Sequence, residues 1–104
     1  MVNMANTIRT RDETLKDYAI FAARRYIPTS NITLDRALSA ANSRIADPTT
    51  RSAAIEFYRV AAANAIVAAD STEGAQKDKY LDVAARAALR VTYKDKGTDP
   101  ILLE

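Results

Sequence analysis

The side chains in this sequence best suited to act on a charged substrate are arginines. Arg24, Arg25 and Arg59, in a chain that also supplies glutamate and tyrosine, have the makings of a cationic clamp, which can stabilise an anionic transition state by itself. The rest of the usual catalytic vocabulary is missing. There is no histidine to move protons near neutral pH and no cysteine to supply a thiolate. Gly74 and Gly97 are the two glycines, and neither sits in a strand-turn-helix context, so no phosphate-cradling loop is expected. Asp78 and Asp82 share a helix face, but Lys79 and Arg86 surround them, which reads as a solvated ion-pair stripe and not a metal site. The sequence therefore predicts no enzyme activity and no cofactor or metal, with the arginine clamp as the weakest of three readings.

A second chemistry belongs to phosphate. Arg9, Arg11, Arg24, Arg25, Arg86, Arg90 and Lys94 could form a basic patch on a nucleic acid. Asp78, Asp82 and Asp95 interrupt that stripe, and cations near a helix C-terminus also complement its dipole without any ligand. A pI near 9.0 reflects only 15 basic against 13 acidic residues. No helix-turn-helix spacing is present. Nucleic acid is thus the alternative partner and not the favoured one.

The third chemistry is apolar contact. Ile20, Phe21 and Ile27 fall outside the main apolar stripe of their helix, and Ile101, Leu102 and Leu103 stand together after Pro100. Consecutive large aliphatics cost about 25 cal/mol per Å² when left in water. They must fold back on the body of the protein or dock on another subunit, and these six residues are the suspected interface.

Helices must position all of these groups. Of the 104 residues 21 are alanine, most of them between Ala53 and Ala88. Alanine has the highest helix propensity and lets helix backbones approach closely, but each one buries little area. A thin core with tight helix contacts suggests burial against a partner. The spacing predicts four helices. The first runs from a Thr10–Glu13 capping box to about Tyr26, with Leu15, Tyr18, Ala19, Ala22 and Tyr26 inward and Pro28 as its stop. The second is capped by Thr33 and carries Leu34, Ala37, Leu38, Ala41 and Ile45 on one stripe, with Asn42 on its solvated side. The third starts at Asp47-Pro48 and runs to about Ala69, apolar around most of its circumference, with Asn64 either satisfied inside or part of an interface. The fourth spans about Ala75–Tyr93, with an inner stripe of Tyr80, Val83, Ala84, Ala87 and Val91. Its outer stripe is Lys79, Asp82, Arg86 and Arg90, with Asp82 placed to pair with Arg86. The segments beginning at Tyr18, Tyr58 and Tyr80 share a Tyr-x-x-φ-Ala-Ala pattern, read as a packing rule common to the helices.

The expected fold is all-α: a small four-helix bundle over residues 10–94, between a flexible arm at 1–9 and a tail at 95–104. No apolar run is long enough to span a membrane and the first residues lack the regions of a signal peptide, so an intracellular or virion setting is expected, with no membrane partner. The function expected is a non-catalytic structural or adaptor subunit of a larger assembly, a homo-oligomer or a complex with other protein subunits, by analogy of size and composition with virion connectors. Removing residues 98–104 is then expected to abolish assembly without unfolding the monomer.

Overall fold

A computed structural model describes residues 11–27, 31–92 and 97–103. The arm at 1–9, the Thr10 cap, Arg9, Pro28 and Lys94 lie outside the described residues. Four helices follow in order: α1 (Arg11–Ala23), α2 (Leu34–Asn42), α3 (Arg51–Asp70) and α4 (Gly74–Thr92). The molecule is an all-α four-helix bundle.

Each boundary has a local cause. Thr33 caps α2 as expected, its Oγ1 accepting from the Arg36 amide at 3.2 Å. Asp47-Pro48 does not open α3. Asp47 Oδ1 instead accepts from the amide and the hydroxyl of Thr49, at 2.9 and 2.8 Å, and closes a turn just ahead of the helix. These two bonds, the backbone one foremost, hold the Asp47 carboxyl below its ordinary pKa. Thr50 at the cap position donates its hydroxyl to Arg44 O at 2.8 Å, so α3 begins without a side-chain cap. At the other end of the long hairpin, Gly74 opens α4 at φ +66°, a backbone state that glycine enters without penalty.

The core is built around α3. Nine of its residues are buried, six of them alanines, and the facing positions Val83, Ala84, Ala85, Ala87 and Ala88 of α4 are buried with them. Small residues on both sides bring these helices together. The α3–α4 pair is antiparallel, with Tyr58 beside Arg90 at one end and Lys77 donating to Ala69 O at the other. Helix α2 lies antiparallel on α3, from the Asn64–Ile32 bond (2.9 Å) to the Tyr58–Asn42 bond (2.6 Å). Asn64 is thus satisfied by a backbone carbonyl. The α2 stripe is buried at Ala37, Leu38 and Ala41, and Ile45, in the turn past its end, is buried with them.

Helix α1 covers the α3–α4 pair and runs in the same sense as α4. Lys16 pairs with Asp82 at 2.9 Å, and ten residues on in both segments the Tyr26 and Thr92 hydroxyls are hydrogen-bonded. Asp82 therefore serves α1 and not Arg86. The face that α1 buries is also shifted from the expected one: Ala19 and Ala23 are inside, while Tyr18 is 59% exposed. The three tyrosines of the repeated pattern consequently differ, with Tyr58 fully buried, Tyr80 half-buried and Tyr18 outside. Alanine packing is what the three segments share.

Candidate functional site

Two places on the molecule depart from ordinary bundle packing, and the suspected interface residues divide between them. The first is the C-terminal segment. It folds back on its own chain: Ile101 is 1% exposed and belongs to the core, Leu103 is half-buried, and Leu102 stays outside. Ile101 is thus removed from the suspected interface, because burying such a side chain is worth about 2 kcal/mol and polar groups hold it in place. Asn42, the last residue of α2, offers its side-chain amide as a strand would offer its backbone. Its Oδ1 accepts from Ile101 N and its Nδ2 donates to Ile101 O, both at 2.9 Å. The same Oδ1 accepts from the Tyr58 hydroxyl at 2.6 Å.

Arg90 completes this cluster. It donates to Tyr58 Oη at 2.7 Å and to Asp99 O at 2.6 Å, and its guanidinium lies 5.0 Å from the Tyr58 ring centre. At 6% exposure Arg90 is no part of a surface basic stripe, a correction to its place in the basic patch. A buried cation is costly unless it is paired or hydrogen-bonded, and here a phenol oxygen, a carbonyl and a ring face serve that need. Burial raises the Tyr58 pKa above the ordinary tyrosine value, against the opposing pull of Arg90. Asn42 and Tyr58 were not legible as partners in the sequence. The one signal available was a tyrosine in the middle of an alanine-rich helix, whose hydroxyl must find a partner when buried.

The second place is the outer face of α1. Phe21 is 55% exposed and Tyr18 beside it is outside too, while Ile27, past the end of the helix, is 79% exposed. Ile20 turns the other way and packs against the core. The exposed face is organised: Thr14, Asp17, Tyr18 and Phe21 line one shallow cleft, and the Arg25 guanidinium lies 4.1 Å from the Phe21 ring centre. Glu13, Lys16, Asp17 and Ile20 of α1 line a second cleft with Asp78, Leu81 and Asp82 of α4.

The remaining arginines do not converge. Arg24 pairs with Asp70 at 3.0 Å, and that hydrogen bond lowers the Asp70 pKa. Arg59 lies over the Tyr26 ring at 5.1 Å, with its Nε 3.8 Å from Glu56 Oε1. Arg24, Arg25 and Arg59 thus each engage a different partner and line neither cleft of α1. Arg11 is exposed and Arg86 half-buried. Among the described residues no helix is long and apolar enough to cross a membrane, and no three carboxylates gather as metal ligands would. Comparison with protein-family models, curated proteins and solved structures finds no match.

Proposed function

We propose that this chain is a non-catalytic structural subunit that self-associates through the outer face of α1. The observation that supports this reading is the exposure of Tyr18 and Phe21 on one cleft of α1, with Ile27 exposed past its end, so that three large apolar side chains of one segment retain more than half of their surface in water. Scattered single apolar residues need no explanation, but a grouped set rimmed by charge is the usual mark of a contact surface. The tail is not the contact in this reading, because Ile101 is buried in the chain's own core.

Light scattering on a size-exclusion column, at low and high salt, tests the reading. A discrete multimer that survives high salt and dissociates on Phe21→Ala supports it. A chain that elutes as an 11.4 kDa monomer at every concentration overturns it.

A further inference from the structure

The exposed face of α1 carries a charge pattern that is complementary to itself. Asp17 lies four residues before Phe21, about 6 Å along the axis, and Arg25 follows four residues after it, in the turn beyond the end of α1. A step of four places Asp17 on one flank of that face, rotated about 40° from Phe21, and Arg25, in the turn that closes α1 just past Ala23, lays its guanidinium back over the Phe21 ring. Cleft geometry agrees, since Asp17 lines the cleft beside Phe21 and Arg25 lies over the Phe21 ring. Turning such a face through 180° about an axis at Phe21 puts aspartate where arginine was and arginine where aspartate was. The same rotation brings Tyr18 opposite position 24. A two-fold interface requires a patch that matches itself in this way.

We propose that α1 pairs antiparallel with α1 of a second copy of this chain, Phe21 against Phe21 on the two-fold axis, with Asp17 of each copy facing Arg25 of the other. This rests on the self-association reading above and specifies its geometry. The aromatic pair supplies the apolar centre, and the two charge pairs set register and direction, since a parallel arrangement would place like charges together. The face is small, so pairing is concentration-dependent.

Charge reversal on the intact chain tests it, read by sedimentation or light scattering over a concentration series. Asp17→Arg alone and Arg25→Asp alone each create two like-charge contacts and weaken dimerisation by about tenfold. An equimolar mixture of the two variants restores dimers, because the all-basic face of one now meets the all-acidic face of the other. The double variant D17R/R25D restores them in a single chain and controls for misfolding. A multimer indifferent to all three changes, or a mixture that fails to recover, overturns this pairing and leaves self-association standing. A wild-type chain that is monomeric throughout overturns both.

Discussion

Asn42 holds two backbone groups of Ile101 and the hydroxyl of Tyr58 with one amide, so its replacement has an uneven cost. Asn42→Leu leaves the Ile101 N–H and carbonyl without these partners and the Tyr58 hydroxyl proton without its acceptor, while Arg90 still donates to the phenol oxygen. It is expected to destabilise the protein by about 3 kcal/mol, measured by urea unfolding. Asn42→Asp keeps both accepted bonds and loses only the donated one, so it falls between the two. Tyr58 makes a separate prediction. A folded-state pKa raised above the unfolded value of about 10 means that the native state keeps a proton the unfolded chain gives up. That stability is fully present below pH 10 or so and is lost as pH rises through the folded value. Alkaline titration by tyrosinate absorbance should show Tyr58 ionising late, together with unfolding, and Tyr58→Phe should remove that late step. None of this was legible in the sequence, where Asn42 reads as a solvated position and Arg90 as a surface cation. The reason is physical: their partners lie 59 and 32 residues away, or are backbone atoms with no residue signature.

The helices themselves were far more legible, because period and propensity act locally. The α2 stripe follows its spacing, and its Thr33 cap holds. What propensity could not reveal was which way α1 would roll. Its apolar residues are spread around the circumference, so the choice of buried face falls to the neighbours: Ala19 and Ala23 let the helix sit close on α4, and the bulkier Tyr18 and Phe21 turn out. The Asp47-Pro48 start signal was also displaced, since Asp47 finds nearer donors in Thr49. Two changes test the elements. Gly74→Ala meets no atom within 4 Å yet is expected to cost about 1 kcal/mol, because the strain lies in φ and not in space. Ala84→Leu at the α3–α4 seam introduces volume where exposure is zero, and about 3 kcal/mol of overpacking should appear as a lower Tm.

On the scale of the whole molecule, four helices and a returning segment form one body, and the tail belongs to that body. Truncation after Thr98 is therefore expected to lower the thermal midpoint of the chain, where the sequence alone suggested an assembly defect in an intact monomer. Combining that truncation with Asn42→Leu should cost less than the two separate losses, because both remove the same contacts. Calorimetry of the single and double changes measures that coupling directly. The outer face of α1 takes no part in these contacts, so oligomerisation and stability should respond to separate sets of mutations.

The clasp between Asn42 and Ile101 also has a mechanical meaning. Tension applied at the C-terminal end of this chain reaches Ile101 before it reaches α4. There it meets two antiparallel hydrogen bonds at the end of α2, with Arg90 gripping the carbonyl of Asp99 two residues earlier. The force is shared between the α2–α3 junction, through Asn42, and the last turn of α4, which it enters sideways through the Arg90 side chain and not along the helix axis. A copy of this chain pulled by its C-terminus would yield at the clasp first, and would keep its helices while it did so.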